Sequence, residues 1–240
     1  MTRMLASVVD ALELDSAIAA GADIIDLKNP KAGALGALPT EVIRNLVART
    51  AGRCPISATV GDLPADPACL TAAVRKTADT GVDYIKVGFF SNDKLTECLQ
   101  AIAGLTRGHA VVAVLFADRE PPLKRLDEFA AAGFRGVMLD TAGKGRGGLL
   151  DYISLQQLDC FVADAKALGL LSGLAGSLAL EDIPHLLPLR PDYLGFRGAL
   201  CEQSERTAGI TPRRLREVRD ALSPSGVRFD QAAAPVGASS

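Results

Sequence analysis

The segment Asp23-Ile24-Ile25-Asp26-Leu27-Lys28-Asn29-Pro30 alternates in the way that a β-strand does. Asp26 and Lys28 are predicted to share one face with Ile24, because alternate side chains of a strand point the same way. Two opposite charges on an otherwise apolar strand are costly unless they pair or take part in chemistry. Pro30 ends the strand, because proline lacks an amide donor and restricts the residue before it. The pattern predicts a strand that ends at a functional site, with Lys28 at its mouth.

The strand runs on into a segment rich in small residues, Lys31-Ala32-Gly33-Ala34-Leu35-Gly36-Ala37. Glycine lets the backbone come close to a ligand or to another stretch of backbone. We therefore predict a loop that is closely approached at its glycines.

Similar apolar or β-rich runs recur along the chain and alternate with segments typical of helices. The predicted strands are residues 4–9, 23–28, 55–60, 84–88, 110–116, 136–140, 170–175 and 193–197. The predicted helices include residues 12–20, 41–51, 69–80, 94–105, 123–132 and 155–168. Five glycines are candidate helix C-caps that lead into the next strand: Gly21, Gly81, Gly104, Gly133 and Gly169.

Eight strands that alternate with helices in 240 residues predict an α/β fold, a single (β/α)8 TIM barrel. A doubly wound open sheet is the alternative, but it usually carries a glycine-rich phosphate loop after its first strand. The residues after the first predicted strand here, Asp10-Ala11-Leu12-Glu13, form no such loop. We predict a barrel over residues 1–222 and a loose C-terminal tail over residues 223–240, which are small and polar.

Composition limits the classes of partner. The apolar share of 48% is ample for a large core, and the formal net charge of -2 gives no general attraction to nucleic acid or to an anionic membrane. The N-terminus lacks the apolar core of a signal peptide, and no later run approaches the length of a membrane span. We expect a cytoplasmic protein that binds a small molecule. The oligomeric state stays open, with a homo-oligomer among the options.

The cysteines and histidines do not indicate a metal site. The five cysteines are scattered, without the spacing of zinc ligands, and the two histidines are far apart in the sequence. Reduced thiols are the expectation for a cytosolic protein, and we predict no metal site at these residues.

Charged residues are predicted to meet at one end of the barrel. Catalytic residues of such barrels lie at the carboxyl ends of strands and in the loops that follow. The even-numbered strands supply most of the candidates, and the loop after the sixth strand adds one more: Asp26, Lys28, Lys86, Asp140, Arg197 and Lys144. Each alone has a structural interpretation, as a solvated strand end, a rim ion pair or a loop residue. Together they favour an active site.

Several lysines in one site suit imine chemistry. A free lysine has a pKa of about 10.4, so very little of it carries the neutral amine at pH 7. Attack on a carbonyl carbon needs that neutral form, and a second ammonium or desolvation lowers the pKa toward it. Asp26 acts in the opposite direction on Lys28, and the sequence leaves the balance between the two effects open.

A phosphate site is suggested by the segments after the seventh and eighth strands. Barrels often bind phosphate there through backbone amides. The candidates are Gly176, Ser177, Arg197 and Gly198. The alternative is ordinary turn chemistry between a strand and a helix.

Three separated blocks of this sequence resemble the (5-formylfuran-3-yl)methyl phosphate synthase family of methanofuran biosynthesis. They are Asp26-Leu-Lys28-Asn-Pro30 with its glycine-rich continuation, Tyr84-Ile-Lys86-Val-Gly88, and Met138-Leu-Asp140-Thr-Ala-Gly-Lys144. The family is also called 4-(hydroxymethyl)-2-furancarboxaldehyde-phosphate synthase. The resemblance covers the chain from its first strand to about residue 214.

The resemblance implies a (β/α)8 barrel like that of class I aldolases. It also implies a lyase that forms a Schiff base and acts on phosphates by carbon–oxygen cleavage. It implies condensation of two glyceraldehyde 3-phosphate molecules into the furan phosphate, with loss of phosphate and water and without a metal or organic cofactor. Lys28 would form the imine. The supporting acid, base and electrostatic residues would be Asp26, Lys86, Asp140 and Lys144.

Two other functions remain open from the sequence. One is a triose-phosphate isomerase or class I aldolase that acts on a related phosphosugar. The other is a regulator that binds sugar phosphates without turnover, which the set of lysines disfavours.

Overall fold

The computed structural model describes residues 1–143 and 146–223 of the chain. Eight parallel strands pair in chain order, and the last pairs with the first, so that the sheet closes into a barrel. This arrangement confirms the predicted (β/α)8 fold. The strands are β1 Arg3–Val8, β2 Ile24–Leu27, β3 Ile56–Thr59, β4 Tyr84–Phe89, β5 Ala110–Phe116, β6 Gly136–Asp140, β7 Leu171–Leu174 and β8 Tyr193–Phe196.

Helices follow the strands and pack their apolar sides against the outside of the barrel. The predicted helical segments are confirmed, with ends that differ by one or two residues, except that residues 123–125 form a 3-10 turn. The helices are α1 Ala11–Ala19, α2 Thr40–Thr50, α3 Pro67–Ala78, α4 Leu95–Thr106, α5 Leu126–Ala131, α6 Leu149–Tyr152, α7 Leu155–Ala167, α8 Ile183–Leu186 and α9 Pro212–Ala221.

Four of the five predicted C-cap glycines follow helices with positive φ, from +72° to +83°: Gly21, Gly81, Gly133 and Gly169. The prediction for Gly104 is wrong, because α4 continues through it to Thr106. The chain instead leaves the helix at Gly108 and His109, whose amides both donate to the Leu105 carbonyl. A glycine inside a helix costs stability but does not by itself end the helix.

The charged face of β2 points into the barrel. Ile25 and Leu27 are fully buried in the large core between the barrel and its helices, whereas Ile24 belongs to a second cluster with Met138 and Tyr193. That second cluster fills the barrel interior from several strands, as the alternation of side chains in a closed parallel sheet requires. The predicted placement of Asp26 on the face of Ile24 is thereby confirmed, and its carboxylate is fully buried.

The segment after β2 folds back over part of the barrel mouth. Leu35 is fully buried there, and Asp62 holds the segment by accepting hydrogen bonds from the amides of Ala34 (2.8 Å) and Leu35 (2.6 Å). Gly36 lies so close to Asn29 that a Cβ at position 36 would clash with the Asn29 carbonyl oxygen. The close approach of backbone predicted for this glycine-rich run is confirmed.

Among residues 1–143 and 146–223, no helix has the length and hydropathy needed to cross a bilayer. All but the first residue of the predicted tail, 223–240, lies outside the described residues, so the division between barrel and tail stays a prediction.

Candidate active site

A cavity of about 520 Å³ opens at the carboxyl ends of the strands. Lys28, Lys86 and Asp140 line its inner part. Residues after β7 and β8 form its wall, including Gly176, Ser177, Arg197 and Gly198. The structure therefore brings seven of the nine predicted site residues to one cavity.

Lys86 and Asp26 form an ion pair inside the barrel. The Lys86 ammonium lies 3.0 Å from Asp26 Oδ2, and the two side chains are 2% and 0% exposed. Hydroxyl groups from the neighbouring strands also donate hydrogen bonds to the Asp26 carboxylate. Ser7 donates to Oδ2 at 2.9 Å, and Ser57 donates to Oδ1 at 2.7 Å. A buried carboxylate with this many donors is held in one orientation.

Lys28 pairs with Asp140 across the barrel rather than with Asp26. Its ammonium lies 3.5 Å from Asp140 Oδ2, and the Thr141 amide donates to Oδ1 at 2.7 Å. Residues two apart on a strand are separated by about 6.6 Å, so Lys28 lies one layer nearer the mouth than Asp26. Asp26 in β2 therefore pairs with a residue of β4, and Lys28, one residue beyond β2, pairs with a residue of β6.

The two charges of the inner pair are affected differently by their surroundings. Burial lowers the pKa of Lys86, and the charge of Lys28 lowers it further, although Asp26 and Asp140 oppose the shift. Burial alone would raise the pKa of Asp26, but the charges of Lys86 and Lys28 and the Ser57 hydrogen bond outweigh it, so the pKa lies below its usual value of 3.8. A lysine with a lowered pKa and an ionised carboxylate beside it suit proton transfer.

The guanidinium of Arg197 is engaged within the protein rather than directed at a ligand. It donates to both carboxylate oxygens of the buried Glu13, at 2.6 and 3.1 Å. Its other bonds go to the carbonyls of Ser7, Arg206 and Ala208, at 3.1, 2.8 and 2.8 Å. A guanidinium has five N–H donors, and these contacts use them all. The arginine therefore fixes the segment after β8 in place, and its side chain has no N–H donor left for phosphate.

We expect Arg197→Ala to lower the free energy of unfolding by about 3–5 kcal/mol, because it leaves the buried Glu13 carboxylate without its partner. Urea denaturation measures the loss. Arg213→Ala is the matched control, since Arg213 forms an exposed pair with Glu217 and its removal should change stability little. A loss for Arg197→Ala as small as that of the control would contradict the structural role.

The turn after β7 brings backbone close to Asp140. Gly176 has a φ of +108° and Ser177 a φ of +54°. A Cβ at position 176 would lie 3.0 Å from the Thr141 methyl group and 3.1 Å from the Thr141 amide nitrogen. Glycine is therefore required for this close approach, which forms one wall of the cavity beside the Lys28–Asp140 pair.

Lys144, the remaining predicted site residue, lies outside the described residues. The segment before it is held firmly, since Asp118 accepts hydrogen bonds from the amides of Ala142 and Gly143, both at 2.7 Å. Burial would raise the pKa of Asp118, but these two amides and the nearby Arg119 lower it overall.

Reasoning from the sequence missed one whole segment of the cavity wall, which carries Ser204, Glu205 and Arg206. They lie in an irregular segment between β8 and α9, where neither strand alternation nor helical periodicity gives a signal. Within residues 1–143 and 146–223, no group of three or more His, Cys, Asp or Glu side chains is arranged to hold a metal ion.

A family model described as 4-HFC-P synthase matches residues 4–219. The chain belongs to the 4-HFC-P synthase family. This match confirms the family resemblance carried by the three sequence blocks, and it covers every described residue of the cavity.

Relatives support the same membership along the whole family domain. A protein of Methanopyrus kandleri named (5-formylfuran-3-yl)methyl phosphate synthase is 36% identical, over 92% of this chain and 99% of that relative. A Methanocaldococcus jannaschii protein of the same name is 37% identical, over 88% of this chain and 95% of its own length. A Methylorubrum extorquens protein, given that name provisionally, is 43% identical, over 96% of this chain and 95% of the relative.

Solved structures of other enzymes share the barrel of this 4-HFC-P synthase family member. Phosphoribosyl anthranilate isomerase from Thermus thermophilus superposes with a TM-score of 0.66 at 18% identity, over 92% of this chain and 98% of that one. A 3-hexulose-6-phosphate synthase gives a TM-score of 0.60 at 18% identity, over 92% and 100%. At such low identity these similarities show the fold alone.

Proposed function

We propose that this protein condenses two molecules of glyceraldehyde 3-phosphate into (5-formylfuran-3-yl)methyl phosphate, with loss of phosphate and water, in a methanofuran-type cofactor pathway. Family membership supports the product. The observation that carries the mechanism is the presence of two neighbouring ion pairs, Lys28–Asp140 and Lys86–Asp26, in the inner part of one cavity. The protein would then be a lyase that works through a Schiff base.

In this proposal Lys28 is the nucleophile. It lies nearer the mouth than the Lys86–Asp26 pair, lines the cavity, and pairs with Asp140 at 3.5 Å. Its neutral amine attacks the carbonyl carbon of one triose, and water leaves as the imine forms. Asp140, 3.5 Å from the Lys28 nitrogen, is proposed to exchange protons with the carbinolamine oxygen during that step.

Lys86 is the proposed base. Removal of a proton from the carbon next to the imine gives an enamine, and the lowered pKa of Lys86 favours the neutral amine that this step needs. The enamine then either expels phosphate from the adjacent carbon or attacks the aldehyde of the second triose. Asp26 holds the Lys86 ammonium after it has taken the proton. Lys144 is proposed to support the same charges from the loop after β6.

Backbone amides are the proposed ligands of one phosphate. Gly176, Ser177 and Gly198 lie on the cavity wall after β7 and β8, and small residues there let a phosphate approach the main chain.

The proposed function is tested by incubating the purified protein with glyceraldehyde 3-phosphate alone. We expect ultraviolet absorbance of a furan aldehyde to grow together with one released phosphate for each furan. Interconversion with dihydroxyacetone phosphate, or reversible aldol cleavage without furan, would replace the proposal with an isomerase or a class I aldolase. Binding without any turnover would replace it with a sugar-phosphate-binding regulator.

The pH dependence of the rate tests the role of Lys86. Because the neutral amine is the base, the rate should rise with pH through a midpoint below the usual lysine pKa of 10.5. Asp26 raises the pKa of Lys86, so Asp26→Asn should move the midpoint to lower pH, whatever it does to the maximal rate. The exposed Asp93→Asn serves as the control and should leave the midpoint in place. A midpoint that stays or rises in Asp26→Asn would contradict the assignment of Lys86 as base.

A further inference from the structure

The cavity has four cationic side chains among the residues that the structure describes: Lys28, Lys86, Arg197 and Arg206. The first two are paired with Asp140 and Asp26. The third has every N–H donor bonded within the protein. Two phosphorylated substrates need anion-binding groups that these three side chains do not supply.

Arg206 differs from the other three. It is half-buried, and within residues 1–143 and 146–223 it forms no ion pair. Its guanidinium makes one hydrogen bond in that part of the chain, from Nη2 to the Gly33 carbonyl at 3.0 Å. Of its five N–H donors, four are therefore not bonded to a described protein group.

Its surroundings place this guanidinium on the cavity rather than in bulk solvent. Burial lowers the pKa of Arg206, and the carboxylates of Asp140 and Asp62 act on it in the opposite direction. Asp140 is the partner of Lys28, so Arg206 lies within electrostatic range of the inner pair. A partly desolvated cation without a carboxylate beside it gains most from an anion, and a guanidinium binds phosphate through two parallel hydrogen bonds.

The backbone of Arg206 is fixed by an independent set of contacts. Its carbonyl accepts from Arg197 Nε, and the Ala208 carbonyl accepts from Arg197 Nη2. The Arg197–Glu13 pair thus anchors the segment that carries Arg206, while the Gly33 contact joins its tip to the loop after Lys28. Both anchors orient the free edge of the guanidinium before any ligand arrives.

We propose that Arg206 binds the phosphate group of a triose phosphate in this cavity, as an anion subsite additional to the backbone of the β7 and β8 turns. The inference rests on the proposed function for its substrate. The subsite itself recognises a phosphate monoester or inorganic phosphate.

Binding of inorganic phosphate, measured by its effect on the melting temperature, tests the subsite without any turnover. We expect Arg206→Ala to weaken phosphate binding about tenfold or more, and Arg206→Lys to retain part of it as a point charge. The control is Arg44→Ala, which removes an exposed arginine from α2 and should leave phosphate binding unchanged. Equal phosphate affinity in wild type and Arg206→Ala would overturn the proposal.

A second measurement separates phosphate binding from loop positioning through the Gly33 contact. Borohydride trapping is run with glyceraldehyde 3-phosphate and with glyceraldehyde, which has no phosphate. We expect Arg206→Ala to raise the concentration of the phosphorylated aldehyde needed for half-maximal trapping about tenfold or more and to leave that of glyceraldehyde unchanged. An equal loss with both aldehydes would overturn the proposal in favour of a positioning role. If wild type makes no furan but shows this selectivity, the proposed function fails and the subsite stands.

Discussion

Lys28→Ala is expected to reduce furan formation from glyceraldehyde 3-phosphate to background, a loss of roughly 10⁴-fold or more, because no imine can form without the amine. The barrel should stay folded, since the side chain lies at the cavity and not in the apolar core. Product formation is followed by absorbance and folding by circular dichroism.

The control for this variant is Lys31→Ala. Lys31 lies three residues further along the same segment and is exposed, so its removal should leave the rate within about twofold of wild type. Retention of a tenth or more of the activity by Lys28→Ala would contradict the assignment of the nucleophile. Loss of the folded state would show instead that the Lys28–Asp140 pair is structural.

The Lys86–Asp26 pair gives the second large effect, this time on stability and activity together. Lys86→Met leaves the fully buried Asp26 carboxylate without its counter-ion, so the free energy of unfolding should fall by about 3–5 kcal/mol. Adding Asp26→Asn removes the remaining charge while an amide can keep hydrogen bonds to Ser7 and Ser57, so most of the stability should return. Both variants should lose about 10²- to 10⁴-fold in rate.

This comparison separates a functional pair from a structural one. Urea denaturation of wild type, Lys86→Met and the double variant gives the three stabilities. A stable but inactive double variant means that the buried charges are maintained for chemistry. A double variant that stays active would show that the pair is not needed for proton transfer. One as unstable as Lys86→Met would contradict the unpaired Asp26 charge as the cause of the lost stability.

The fold could be predicted from the sequence because strand alternation and helix periodicity are local signals. β2 shows this most clearly: its period of two assigns Asp26 to the inner face and Ile25 to the outer core without any knowledge of neighbours. The same signal placed Lys86 on the inner face of β4 and Asp140 at the carboxyl end of β6. The prediction that Gly104 ends a helix was wrong, because a glycine can lie inside a helix whose last turn comes later in the chain.

Partners across the barrel could not be predicted in the same way. Which carboxylate lies beside Lys28 depends on the tilt and stagger of the closed sheet, which no single strand encodes. Two of the five N–H donors of Arg197 go to Glu13, 184 residues away, so this ion pair leaves no local trace in the sequence. Arg206 lies in an irregular segment, and its place at the cavity depends on that same distant pair.

The most direct test of the account is borohydride reduction of the protein during reaction with glyceraldehyde 3-phosphate, followed by peptide mapping of the lysine that carries the adduct. Both Lys28 and Lys86 line the cavity, and because its pKa is lowered, Lys86 is the other lysine that could form the imine. The account predicts the reduced triose adduct on Lys28, with Lys86 unmodified. An adduct on Lys86, or none on either lysine while furan is being formed, would contradict it.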